Sequence, residues 1–256
     1  MKLFLPFFLY FAVAISTSFG TLALDKDGAV LTVTINNTNS AINLFRHETV
    51  VEISEPNPDA PGLAAIQGAT FLNMSNLPQP VIAMVSGPAR GIANEFLAAC
   101  DMRFASKNAR FSNFEVTLGL HPGTGGVAWM PLHIGRARAM EFVLSGNDLD
   151  PETAEKYGYV NKAFDTPEEM NKYVERLAQR IALFPLAGIS SIKKSVTDTI
   201  QPKSAQIAIE GAEWDRLVGQ KLEMELVGKF VTISKNFTDV EFELHVPQDV
   251  IKVYEN

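Results

Sequence analysis

Two acids in this chain stand where proton chemistry could be done. Glu95 lies in Gly91-Ile-Ala-Asn-Glu95, where the chain turns on Gly87 and Gly91 and a short apolar helix, Ile92 to Cys100, is predicted to begin. The first backbone N–H groups of a helix have no partner within it and point along its axis, so they favour negative charge. A carboxyl in that first turn would stand beside donors able to hold a developing oxyanion. Glu115 closes Phe111-Ser-Asn-Phe-Glu115, and a loop with four glycines follows, Gly119-Leu-His-Pro-Gly-Thr-Gly-Gly126. Glycine at that density serves a turn with positive φ or a close approach of backbone to a ligand. Two carboxyls facing one small site push their pKa values apart, which separates a general acid from a general base. Each feature also has a plainer reading. Glu95 could only favour the helix start electrostatically, worth about 0.3–1 kcal/mol, and the glycine loop could be a tight connection without a ligand. His121 has no acid or nucleophile beside it in sequence and reads as structural or exposed.

The elements that must position these residues follow from the apolar pattern. Ala29–Ile35 alternates and is rich in β-branched residues, so it predicts a strand. Pro56–Gly62 reads as a loop, and 63–76 as a helix with Leu63, Ile66 and Thr70 on one face. Pro80-Val-Ile-Ala-Met-Val-Ser86 is a continuous apolar run, which suits a buried parallel strand. Gly87–Gly91 reads as a turn, and Asp101–Ala105 and Ala109–Ser112 as short strands. Helices are expected over 136–144, 151–157, 167–183, 187–198 and 205–230, and Val240–Val246 as a late strand or an extended arm. Strands alternating with helices, then helices alone, predict an α/β core with an appended helical region.

Composition narrows the function. The net charge of −7 leaves no surplus of Lys and Arg to replace counterions on a phosphate backbone, so nucleic acid is not an expected partner. Cys100 is the single cysteine, so no internal disulfide or thiolate zinc cluster can form. The four His, at 47, 121, 133 and 245, lack metal-ligand spacing, so no metal is expected. The first twenty residues, MKLFLPFFLYFAVAISTSFG, read as a secretory signal peptide: Lys2, an apolar stretch to Ile15, then small residues with Ser18 and Gly20 at cleavage positions. Sequons at Asn36, Asn73 and Asn236 are compatible with that route but arise often by chance. No membrane association is expected after removal of the signal.

The combination of Pro80–Gly87, Ala89-Arg-Gly-Ile-Ala-Asn-Glu95 through Asp101, and Phe111 through Gly126 resembles the enoyl-CoA hydratase/isomerase (crotonase) family. The resemblance continues through Gly135–Gly146 and Ala154–Asn161, with Pro185 and Lys193-Lys194 similar to the family's later helix. It implies a fold of class α/β, a spiral core of ββα units over 21–184 and a C-terminal helical region over 185–256 that supports a homotrimer or hexamer. It also implies an acyl-CoA thioester as substrate, with no cofactor beyond the coenzyme A that the substrate carries. By the same resemblance Glu95 and Glu115 form the acid–base pair that adds water across a double bond or shifts it. Ile92 N–H supplies an oxyanion donor, and Gly91 and Gly123 line the substrate, Gly123 near the water.

Departures from the family pattern are specific. The family has three consecutive glycines at the helix start; this chain has Gly91-Ile92-Ala93, and a β-branched residue stiffens the backbone and crowds an approaching thioester. Phe114 replaces a proline before the second acid, and Val127-Ala-Trp129 replaces polar residues. Between the first strand and Pro80 the chain is short: 48–62 carries no second strand followed by the Ala/Gly–Asp loop that gives the other oxyanion donor and cradles adenine. Either this gene model lacks a segment or the protein has repaired the gap. A secretory start also sits uneasily with a family usually found in mitochondria, peroxisomes or cytosol. A non-catalytic member that keeps the oligomer surface or binds acyl ligands is the alternative. A protease of the related spiral fold would need a Ser nucleophile at the helix start, and Ile92 to Asn94 offers none.

Overall fold

The computed structural model describes residues 2–6, 22–27, 30–35, 63–234 and 245–255. In chain order its elements are β1 (Lys2–Pro6), β2 (Leu22–Asp27), β3 (Val30–Ile35), α1 (Leu63–Ser75), β4 (Ile82–Val85), β5 (Pro88–Arg90) and α2 (Ile92–Ala98). There follow β6 (Met102–Ser106), β7 (Arg110–Ser112), a 3-10 turn at Glu115–Leu118, α3 (Gly126–Ile134), α4 (Arg136–Ser145), α5 (Pro151–Tyr157) and β8 (Lys162–Phe164). The helices α6 (Pro167–Ala182), α7 (Leu186–Thr199), α8 (Ser204–Leu217) and α9 (Lys221–Ser234) come next; residues 245–249 are helical and lead into a 3-10 turn at Val250–Tyr254.

Six strands form one sheet in the order β2-β3-β1-β4-β6-β8, and β5 and β7 pair in a second layer. The apolar run at 80–86 is buried throughout as β4 and pairs parallel with β6, as its composition predicts. Parallel neighbours need a crossover, and β5 followed by α2 supplies it between β4 and β6. Strand, short strand, helix is the repeating ββα step of a spiral core. Ile82 and Met84 face α6, where Phe104, Met170, Val174 and Ala178 complete one cluster. Ala83 and Val85 face the larger core built from α1, α2, α3 and α4.

Lys2–Pro6, within the stretch read as a leader, pairs into the sheet. β1 lies between β3 and β4, antiparallel to both, pairing Leu3 with Val33 and with Ala83. The expected turn at 36–40, the Pro/Gly loop at 56–62, the site of the missing segment and most of 240–246 lie outside the described residues.

Several local expectations are corrected. Pro88–Arg90 is not only a turn; it pairs parallel with Arg110–Ser112, a partner far away in sequence that no local pattern reveals. The expected helix over 205–230 is two helices, broken at Gly219, which takes φ +77°. The buried face of α1 is Ala64, Gln67, Gly68, Phe71 and Met74, with Ile66 and Thr70 only half-buried. Small residues cause the shift: α8 packs along α1, and a β-carbon on Gly68 would stand 2.6 Å from Ile207 Cγ2. Helix α3 has no counterpart among the expected elements: Gly126, read as the end of the glycine loop, opens it, and Pro131 lies within its nine residues.

Candidate active site

Helix α2 is the centre of the site, and every residue from Asn94 to Ala98 is buried. Its start is set by Gly91, which has φ 56° and ψ −131°, a conformation that L side chains rarely adopt. The Gly91 carbonyl accepts from Asn94 N and Glu95 N at 2.9 and 3.1 Å, closing the first turn. Ile92 is the first helical residue, so its N–H has no acceptor within the helix. Just before the turn, Arg90 Nε and Nη2 donate to Asp148 Oδ1 and Oδ2 at 2.8 and 2.6 Å, pinning the end of β5 to the loop before α5. At the other end of the helix, Arg103 donates to Leu97 O at 3.2 Å, Cys100 O at 2.6 Å and Tyr159 O at 2.6 Å. His133 stands beside Arg103, with Nε2 2.8 Å from Ala98 O. Burial, followed by the Arg103 charge, pushes His133 down to about 3, so it stays neutral. The Arg103 cation and the neutral His133 ring satisfy the helix C-terminus and hold the α2 axis in place.

The two acids expected to act together are brought together. Glu95 is 2% exposed, and its Oε2 accepts from Thr124 N at 2.7 Å and Gly126 N at 2.9 Å, the turn that opens α3. Burial raises its pKa, and those hydrogen bonds oppose the rise by favouring the carboxylate. Glu115 is 7% exposed and begins the 3-10 turn. Burial, and then the charge of Glu95, raise its pKa well above the usual carboxylate range. Its Oε1 stands against Gly91: a β-carbon there would lie 3.0 Å away. Its Oε2 has no hydrogen-bond partner. Burial thus acts on both carboxyls in the same direction, but Glu95 has two N–H groups that favour its charged form, and the Glu95 charge drives Glu115 further toward its neutral form.

A third carboxyl belongs to the cluster and escaped the sequence reading. Glu210 on α8 is 5% exposed, and its Oε2 accepts from Val127 N at 3.2 Å in the first turn of α3. Burial, then Glu95, push it up to about 8. The signal was available: Ile207, Glu210, Gly211 and Trp214 share one helical face, an acid on an otherwise apolar stripe. That stripe lies over the acids. Gly123 packs on Trp214 and Ala64, with room for no β-carbon, since one would stand 2.8 Å from Trp214 Cβ. Both expected acids are buried, Glu95 under the turn that α8 packs on and Glu115 in a 3-10 turn that packs against α4 and α9.

The remaining expected residues fall as follows. His121 is half-buried with Nδ1 2.6 Å from Pro122 O, a local loop contact. Cys100 is buried, and desolvation raises its thiol to about 12, which suits a packed side chain and not a nucleophile. Lys193 Nζ lies 2.6 Å from Asp101 Oδ2, anchoring α7 to the end of β4. Among the described residues no cluster of His, Cys, Asp and Glu fits a metal ion, and no helix is long and apolar enough to cross a membrane.

A spiral of ββα steps whose central helix starts on a positive-φ glycine and carries a buried acid defines the crotonase class. Residues 63–225 match the model of the enoyl-CoA hydratase/isomerase family, and the chain belongs to that family. A Rhizobium meliloti (strain 1021) protein designated a probable enoyl-CoA hydratase is 30% identical over 207 residues, covering 78% of this chain and 79% of that protein. A mitochondrial protein of Dictyostelium discoideum with the same designation is 34% identical over 128 residues, covering 50% of this chain and 46% of that protein. The crystal structure of a Streptomyces avermitilis protein of the enoyl-CoA hydratase type superposes with a TM-score of 0.82 at 28% identity, covering 93% of this chain and 98% of that one.

Proposed function

We propose that this protein adds water to, or shifts the double bond of, an enoyl-CoA thioester, with Glu95 and Glu115 as its acid–base pair. The observation that carries the reading is the convergence of two buried carboxyls with opposed environments: Glu95 holds two backbone N–H groups, and Glu115 is driven toward its protonated form by burial and by Glu95. In hydration, Glu95 takes a proton from water as the water oxygen bonds to C3, and Glu115 gives its proton to C2. The negative charge that passes through the thioester oxygen meets the Ile92 N–H at the start of α2. In isomerisation, Glu115 alone can carry the proton between carbons once it is ionised. General acid–base steps of this kind contribute about 10²–10⁴-fold each. Because both acids are buried, substrate entry requires the elements packed around them, α8 at Gly123 among them, to shift.

The test is turnover of short- and medium-chain enoyl-CoAs followed spectrophotometrically. Loss of activity in both Glu95→Gln and Glu115→Gln supports the reading; a folded parent with no turnover, indistinguishable from those variants, overturns it. The burial of both acids favours a second reading, a non-catalytic family member that binds acyl ligands. Calorimetry with CoA thioesters separates the two, since binding without turnover is the signature of the second.

The family's oligomers motivate a homotrimer or hexamer here as well. Leu183, Phe184, Ile192, Val196 and Ile200 are exposed on and beside α7, a cluster of apolar surface suited to burial between copies. Light scattering reads the number directly, and a monomer at micromolar concentration would remove this part of the proposal. The N-terminus has its own test. A leader would be cut away, whereas β1 bridges β3 and β4. N-terminal sequencing of the mature protein distinguishes a start at Thr21, which supports the secretory reading, from a start at Met1 or Lys2, which supports an intracellular one.

A further inference from the structure

A buried chain of side chains runs to the acid pair and ends on an unpartnered donor. Tyr159, fully buried, donates from its hydroxyl to Asn94 Oδ1 at 2.6 Å. Asn94 Nδ2 then donates to Asn113 Oδ1 at 2.8 Å, and both amides are 0% exposed. With its oxygen taken, Asn113 turns its two N–H groups inward, where Nδ2 has no hydrogen-bond partner. A β-carbon on Gly126 would meet Asn113 Nδ2 at 2.9 Å and the Glu95 Cγ at 3.0 Å, so the amide and the Glu95 side chain share one wall. Glu115 Oε2, two residues along the chain, is the unpartnered acceptor of the same interior.

We propose that Asn113 is a positioning residue for the acid pair: its N–H groups, aimed by Tyr159 through Asn94, hold the Glu115 carboxyl, directly or through one water, where its proton reaches the substrate. This rests on the hydratase/isomerase reading and assigns within it a residue that neither the two acids nor the helix start accounts for. A buried amide donor left unpaired is costly, and a carboxyl oxygen left unpaired beside it is costly too; one short contact relieves both. Titratable groups that face Glu115 are Glu95 on α2 and Glu210 on α8. The Asn113 donor favours the charged form of Glu115, opposing both of them.

The experiment replaces Asn113 by Leu, of similar size without donors, and separately Tyr159 by Phe, which frees the Asn94 amide while leaving every group at the acids intact. Two readouts are taken on the full chain. The first is the titration midpoint of the Glu115 carboxyl by infrared difference spectroscopy, its band assigned with Glu115→Gln. The second is kcat and KM for a short-chain enoyl-CoA. Asn113→Leu is expected to raise the Glu115 midpoint and lower kcat about tenfold, the worth of a hydrogen bond to a charged group, with KM changing less. Tyr159→Phe is expected to move both readouts in the same direction by a smaller amount. An unchanged midpoint in a folded Asn113→Leu, with only thermal stability lost, assigns the chain to packing and overturns the proposal. Should Asn113→Leu not fold, Tyr159→Phe decides by the same midpoint. The infrared midpoint needs no turnover, so a parent that hydrates nothing fails the activity reading while this inference is still decided.

Discussion

Trp214 rests on Gly123: the indole-bearing residue of α8 covers the loop glycine so closely that a β-carbon at 123 would come within 2.8 Å of Trp214 Cβ and 3.0 Å of its Cγ. The contact ties the helix that closes the site to the turn that opens α3. Gly123→Ala is expected to cost about 1–3 kcal/mol by overpacking, read as a lower denaturation midpoint. Trp214→Ala removes the cover, so turnover of enoyl-CoA should rise while stability falls. A rise in neither rate nor substrate affinity would mean that α8 does not gate entry.

Neutralising the acids should separate stability from activity. Glu95→Gln and Glu115→Gln are each expected to lower kcat by about 10²–10⁴-fold. Glu115→Gln should also melt at a higher temperature than the parent, because it removes a desolvated carboxyl beside a second charge. Glu95→Gln should not gain in the same way, since its carboxylate is held by Thr124 N and Gly126 N. Differential scanning calorimetry of the three proteins checks the contrast.

Gly91 is constrained twice, by φ 56° and by the Glu115 Oε1 that a β-carbon would meet at 3.0 Å. Gly91→Ala is expected to cost about 1–3 kcal/mol for the sparsely populated positive-φ conformation alone. It should also displace Glu115, so activity should fall further than stability explains. An active Gly91→Ala with parental kcat would show that Glu115 is placed by other contacts.

Ile92, whose N–H is proposed as the oxyanion donor, is half-buried against the core. Ile92→Gly should raise kcat by opening the approach of the thioester, at some loss of stability from the lost side chain and the gained backbone freedom. A neutral or lower rate would mean that Ile92 is not the obstacle.

The pH dependence of folding has a definite sign. Glu210 titrates near about 8 in the folded state against 4.5 for the ordinary side chain, so between those values the folded protein binds more protons than the unfolded chain. Stability contributed by that proton is therefore present at low pH and is lost as pH rises toward 8. Glu210→Gln should flatten that decline and melt above the parent at pH 9. His133, pushed down to about 3, acts on the other side: stability falls as pH drops from 6.5, because the unfolded chain takes up a proton that the buried ring refuses. Melting curves from pH 4 to 9 on parent and Glu210→Gln read both limbs.

Much of the core was legible one residue at a time. Val81 to Val85 reads as a buried strand because a strand covered on both faces can hold no polar group, and it is one. Glu95 and Glu115 were marked by their local settings, a helix start and a glycine loop, and those settings persist in the fold. Local patterns failed where an element exists only through a distant partner. Pro88–Arg90 is a strand because Arg110–Ser112 lies beside it, and β8 is a strand because β6 does.

The amino-acid order by itself determined which groups could carry protons, where α2 begins, and the family, because each depends on neighbours within a few residues. Tertiary structure alone decided that Glu210 joins the acids, that Asn113 meets Asn94 and through it Tyr159, and that α8 packs along α1 and over Gly123. Those outcomes depend on small residues, Gly68 and Gly123, that let one helix approach another, and closeness of that kind leaves no periodic mark on a sequence.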